Sequence, residues 1–198
     1  MNALMQSSLF FQLGVEHILT GVDHLLFVLG LLLIARDRWM LLKTITAFTL
    51  AHSITLAIAT LGWANAPAPP LNAAIALSIF FLGPEMVRAK RGGTSLAIQH
   101  PWVVAFAFGL LHGFGFASGL SALGLPHSQL PFALLLFNLG VEAGQLFFVA
   151  IILLLMRSFR LLEIRWPRLT EWFPAYVVGS LGAYWTFQRT AILVNALR

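Results

Sequence analysis

The sequence predicts an all-α, polytopic membrane protein: one domain over residues 1–198 that forms a bundle of six transmembrane helices, with both termini outside. Three observations lead to this prediction. First, 59% of the residues are hydrophobic and only 10% are charged, which is too little polar surface to cover a soluble core. Second, the apolar residues fall into six runs, each near the roughly 20 residues needed to cross a bilayer. Third, the basic residues lie in alternate loops between these runs.

The six predicted spans lie at about 14–35, 40–62, 71–89, 102–124, 131–157 and 174–194. Turn-forming or charged residues separate them: Arg36-Asp37-Arg38, Pro67 to Pro70, Arg91-Gly92-Gly93, Leu125-Pro126-His127, and a basic segment that ends near Pro174. Residues 1–14 contain no Lys or Arg and so lack the charged region of a cleavable signal. We therefore expect the first apolar run to be kept as a helix.

The distribution of basic residues predicts the orientation. Loops one, three and five hold Lys or Arg, whereas loops two and four hold neither. By the positive-inside rule the odd loops face the cytoplasm, which predicts a multi-pass protein of the inner membrane with the lipid bilayer as its main partner. Residues 158–173 fit either an amphipathic helix on the inner leaflet or a charged connector. Because the net charge of +5 comes from these loops, we expect no nucleic-acid partner.

Ionisable side chains recur inside the predicted spans, where a charge costs at least about 2.5 kcal/mol. Counted inward at about 1.5 Å per residue, five of them reach similar depths of roughly 14–18 Å. These five are Asp23, His24, His52, His112 and Glu142. A single buried His is often simply hydrogen-bonded, but five such groups at one depth favour a site. Imidazole and carboxylate ligands suit first-row divalent metals, so the sequence predicts a metal site near the middle of the bilayer.

Other polar residues are expected along the approach to this site or in support of it. They are Glu16, His17, Thr49, Ser53, Asn138 and Gln145. His17 and His24 are seven residues apart and share a helix face, but about 10 Å separates them along an unbroken helix. Because metal–nitrogen bonds are about 2.0–2.1 Å long, one ion could not bind both. We expect His17 and Glu16 at the outer approach, where charge attracts cations.

Sequence spacing also predicts how the spans pack. Two glycine pairs have the GxxxG spacing that lets transmembrane helices approach closely: Gly109 with Gly113, and Gly140 with Gly144. Glu85 precedes Arg88 by three residues, which predicts an ion pair at the inner interface. Residues 25–34 and 146–156 hold no ionisable group, so we expect the site to open to the outside.

Four segments carry these polar residues in a pattern that resembles the HupE/UreJ family of membrane proteins: Glu16 to Phe27, Thr46 to Ser53, Phe108 to Gly113, and Phe137 to Gln145. The resemblance covers spans one to five and is closest to the branch without hydrogenase or urease gene context. It implies a nickel or cobalt permease, or a membrane accessory to metalloenzyme assembly, and assigns metal handling to His17, Asp23 and His24. His17 is followed by Ile18, where the nickel-linked branch has Pro, so Ni, Co and Zn stay open.

Three functions are consistent with this sequence. The leading one is a permease, rather than an enzyme, that binds a divalent metal ion at a midplane His/Asp/Glu site. The alternative is a membrane-integral hydrolase whose cluster holds zinc, with Glu142 or Asp23 as general base. The third is haem b between His52 and His112, although neighbouring carboxylates suit an apolar haem pocket poorly. The absence of Cys disfavours copper(I). Homo-oligomerisation stays open.

Overall fold

The computed structural model describes residues 3–116, 129–161 and 171–196, and its regular secondary structure in these ranges is entirely helical. The helices are α1 (Ala3–Thr20), α2 (Val22–Ile34), α3 (Arg38–Thr60), α4 (Ala68–Lys90), α5 (Leu96–Gln99), α6 (Pro101–Phe114), α7 (Leu130–Leu161) and α8 (Phe173–Ala196). The predicted all-α class is confirmed. Three predictions lie outside the described residues: a fourth span reaching 124, the turn at Leu125-Pro126-His127, and residues 162–170 of the amphipathic segment.

Several helices have the length and apolar character needed to cross a membrane. These are α3, α4 and the part of α7 from Leu130 to Phe159. The bent pair of α1 and α2 provides a fourth candidate, and α6 is a shorter apolar helix of 14 residues. The described residues therefore support a multi-pass membrane protein with three or four candidate spans. Six spans remain a prediction.

The first span differs most from the sequence-based expectation. Instead of one helix over 14–35, α1 and α2 meet at a bend of 73°. The bend is at Gly21, whose φ of −76° and ψ of 88° leave the helical region. A Cβ atom there would lie 2.7 Å from Nδ1 of His24 and 2.8 Å from the carbonyl oxygen of His17. Only glycine fits this close approach without displacing one of these groups.

The helices pack mainly in three pairs: α1 with α7, α3 with α6, and α4 with α8. Both predicted glycine pairs lie at such contacts, as expected. A Cβ on Gly140 would lie 2.1 Å from the carbonyl oxygen of Phe11 in α1, and a Cβ on Gly113 would lie 2.3 Å from that of His52 in α3. The α3–α6 contact therefore brings backbone and side chains close together at His52, one of the predicted site residues.

The first and third basic loops lie together at one end of the bundle. Arg36, which follows α2, and Lys90, at the end of α4, line the same small hollow. Lys90 also donates a hydrogen bond to the carbonyl oxygen of Glu171, just before α8. The predicted ion pair between Glu85 and Arg88 is confirmed, with an N–O distance of 2.5 Å. We refer to this part of the molecule as the basic end.

Between α2, α3 and α4 lies the main hydrophobic core. Phe27, Leu31 and Ile34 of α2 are almost fully buried there, and Ile79 and Leu82 of α4 pack against them. Along α2 these residues follow His24 and lead to Arg36 at the basic end. The core therefore separates His24 from the basic end with an apolar layer.

Candidate metal centre

Three histidines from three helices converge beside the bend at Gly21: His17 of α1, His24 of α2 and His52 of α3. Each offers a ring nitrogen, and these nitrogens all lie within 4.8 Å of one another. The ring centroids of His17 and His24 are 4.8 Å apart. The expectation that about 10 Å separates them was wrong, because it assumed an unbroken helix, whereas α1 and α2 meet at a bend of 73°. We call these three residues the histidine cluster.

The dimensions of the cluster suit one metal ion after a small adjustment. Nitrogens that bind one ion tetrahedrally at about 2.0–2.1 Å lie roughly 3.4 Å apart. The widest separation here, 4.8 Å, must therefore close by roughly 1–1.5 Å. Changes in side-chain rotation and small helix displacements can supply this movement.

Each histidine of the cluster has a ring nitrogen that lacks a hydrogen-bond partner among the described residues. The Nε2 atoms of His17, His24 and His52 are buried and have no hydrogen-bond partner among the described residues. An unsatisfied buried polar atom costs about 1–3 kcal/mol, so three of them in one place need an explanation. A cation bound by these rings would supply a partner to each nitrogen that coordinates it.

The second ring nitrogen of His52 has a hydrogen-bond partner, as is usual for metal-binding histidines. Its Nδ1 atom lies 3.4 Å from Oδ1 of Asn138. Asn138 is itself held in place, because its Nδ2 donates to the carbonyl oxygen of Leu134 at 2.8 Å. When Nδ1 of His52 carries the proton and donates to this amide oxygen, Nε2 is left with its lone pair free for a metal.

His112 of α6 borders the cluster. Its ring centroid is 4.9 Å from that of His24. Its Nε2 atom lies 3.1 Å from Oγ of Ser78, whereas its buried Nδ1 atom has no partner among the described residues. His112 therefore offers a fourth imidazole nitrogen next to the cluster, held in orientation by a hydroxyl of α4.

The two carboxylates predicted as ligands have other partners. Both oxygens of Asp23 accept hydrogen bonds from Nη2 of Arg189 in α8, at 2.8 and 3.1 Å. Glu142 of α7 is half-buried and accepts a hydrogen bond of 2.8 Å from the hydroxyl of Thr46. Among the described residues, the structure brings together the predicted His24 and His52 and places neither carboxylate in that group.

The remaining predicted residues lie around the cluster in different roles. Thr49 donates a hydrogen bond of 2.8 Å to Oε1 of Gln145, which joins α3 to α7. Ser53 donates to the carbonyl oxygen of Thr49 at 2.7 Å, within α3. Glu16 is exposed on α1, one residue before His17. These positions fit support of α3 and an exposed approach, respectively.

Sequence reasoning missed three residues near the cluster: Arg189, Ser78 and Phe116. The ring of Phe116 lies 4.2 Å from that of His17 and forms an apolar wall beside it. Of the three, only Arg189 carries a signal that could have been recognised, since a charge within a predicted span indicates a buried partner. A serine and a phenylalanine in apolar helices are too common to single out.

The comparisons with known proteins give one match. The family model described as HupE / UreJ protein matches residues 2–189. No curated protein and no solved structure matches the chain.

Proposed function

The chain belongs to the HupE/UreJ family, and from this membership and the histidine cluster we propose that it is a permease for a first-row divalent metal, nickel or cobalt. The observation that carries the proposal is the set of three buried Nε2 atoms without partners, on rings whose nitrogens lie within 4.8 Å of one another. Neutral imidazoles favour nickel, cobalt or zinc over the harder magnesium and calcium ions.

We assign direct binding of the ion to His17, His24 and His52. We assign the next binding position to His112, since its ring adjoins that of His24 and retains a nitrogen without a partner among the described residues. A metal that exchanges one histidine for another keeps its coordination number while it moves, which lowers the cost of dehydration in an apolar environment. Asp23 and Glu142 act outside this ligand set, through Arg189 and Thr46 respectively.

The path of the ion follows from the surroundings of the cluster. Glu16 is exposed beside His17 and can attract cations. On the other side, Phe27, Leu31 and Ile34 close the way toward the basic end. If the basic end is cytoplasmic, as the positive-inside rule requires, the cluster loads from outside. Delivery then needs a rearrangement that opens the apolar layer, as in alternating access around a central site.

A membrane-integral zinc hydrolase is the second candidate. Three histidines with a further coordination position free are also the ligand set of some catalytic zinc sites. A hydrolase needs in addition a general base close to the metal-bound water. The carboxylates expected in that role, Asp23 and Glu142, are bonded to other residues, which favours the permease.

Transport of nickel into proteoliposomes tests the proposal. Vesicles that hold the protein and enclose a nickel-sensitive dye should show uptake well above protein-free vesicles. His24→Ala should reduce uptake to that background, because it removes the central ligand. His100→Ala is the matched control, since His100 is exposed and its side chain does not cap α6. Nickel that binds from outside without reaching the lumen would refute the permease and support the hydrolase.

A further inference from the structure

α4 and α8 leave a groove of about 620 Å³ between them, lined by neither α1 nor the histidine cluster. The two helices approach each other closely at Gly83 and Gly179, where a Cβ on Gly83 would lie 2.6 Å from the Cα of Gly179. The groove extends along this contact. Its walls are mainly apolar and include Phe80, Pro84, Val87, Ala175, Tyr176 and Ala183.

Two arginines, Arg88 and Arg91, line the same groove at the basic end. Arg88 pairs with Glu85 at 2.5 Å, yet its side chain is still 52% exposed. Arg91 is exposed and has no carboxylate partner among the described residues, and its guanidinium lies 5.9 Å from the ring centroid of Trp172. The groove therefore combines an apolar length with a surplus positive charge at one end.

From this combination we infer that the groove binds one anionic phospholipid, with its phosphate at Arg88 and Arg91 and an acyl chain along the apolar walls. An acyl chain fits apolar walls between two membrane helices, and the unpaired charge of Arg91 selects an anionic headgroup over a zwitterionic one. Trp172 and Tyr176 lie beside the arginines, as aromatic residues do at the level of lipid headgroups. A free phosphate ion would make no favourable contact with the apolar walls.

Native mass spectrometry of the detergent-purified chain with added phosphatidylglycerol or phosphatidylcholine tests the inference. The wild type should retain one phosphatidylglycerol in preference to phosphatidylcholine. Arg91→Gln should weaken retention of phosphatidylglycerol roughly fivefold, the effect of one basic residue near a lipid surface. Arg38→Gln is the charge-matched control, because Arg38 is exposed but lies outside the groove, and it should retain the lipid as the wild type does.

A second pair of variants tests the apolar part of the groove without changing charge. Ser180 lines the groove on the exposed side of α8, so Ser180→Phe should obstruct the acyl chain and reduce retention. Leu181→Phe places the same aromatic side chain one residue away, outside the groove, and should have no effect. Equal retention of the two lipids by the wild type, or identical retention by Arg91→Gln and Arg38→Gln, would overturn the inference. So would a dimer that Ser180→Phe dissociates, since the groove would then belong to a second copy.

Discussion

Arg189 accounts for the position of Asp23, which precedes a cluster histidine in the chain yet lies outside the cluster. One guanidinium nitrogen of Arg189 bonds both carboxylate oxygens, and another donates to the carbonyl oxygen of Asn72 at 3.2 Å. The two side chains are 23% and 25% exposed, so much of the ion pair is withdrawn from solvent. This pair ties the start of α2 to α8 and α4 beside the histidine cluster.

We predict that Asp23 and Arg189 are energetically coupled. Arg189→Gln leaves the carboxylate without its cation and should lower the free energy of unfolding by about 1–3 kcal/mol, and Asp23→Asn should do likewise for the guanidinium. The double variant removes both charges and should cost less than the sum of the single variants. Denaturation of the detergent-solubilised protein measures the free energy of unfolding of all three variants. Additive losses would show that the two side chains do not interact in the folded protein.

The sequence identified the buried ionisable residues more reliably than it identified the residues that they contact. His24 and His52 could be assigned to one site from depth alone, and the Glu85–Arg88 pair from local helix spacing. The partner of Asp23 could not be predicted, because Arg189 is 166 positions away in the chain and the contact depends on how α8 rotates and packs. Depth along a helix axis says nothing about the face on which a side chain lies.

At the scale of elements, the break between α1 and α2 decides the composition of the site. A glycine within an apolar run costs a helix only about 1 kcal/mol relative to alanine, so the sequence alone does not distinguish a continuous helix from a broken one. Here α1 packs on α7 whereas α2 packs mainly on α4, so the two helices have different packing partners on either side of the bend. The bend moves His17 from the expected approach into the cluster.

Gly21→Ala should therefore impair metal binding without replacing a ligand. Its Cβ would lie 2.7 Å from Nδ1 of His24, so the ring or the bend must shift. We expect a roughly 10-fold to 100-fold loss of nickel affinity, as for changes to the outer shell of other metal sites. Equilibrium dialysis measures this effect. Gly179→Ala is the control, because its Cβ makes only an ordinary contact of 3.5 Å; equal affinities in the two variants would remove Gly21 from the account.

For the molecule as a whole, the first and third basic loops lie at the same end, as the topology predicted from charge requires. Arg36 and Lys90 share a hollow, and Lys90 contacts the segment that leads into α8. We predict that this end is cytoplasmic. Alkaline phosphatase, which is active only outside, should be active when fused after residue 198 and inactive after residue 91. The opposite pattern would invert the orientation and place the loading side of the cluster in the cytoplasm.

The central claim is that His17, His24 and His52 hold the ion, and metal content measures it most directly. Purified protein loaded with nickel and analysed for elements should contain one ion per chain. His17→Ala, His24→Ala and His52→Ala should each lose it while helix content by circular dichroism is preserved. Asp23→Asn and Glu142→Gln should keep it, because their partners are Arg189 and Thr46. Full nickel content in His17→Ala, with loss in Asp23→Asn and Glu142→Gln, would contradict the account.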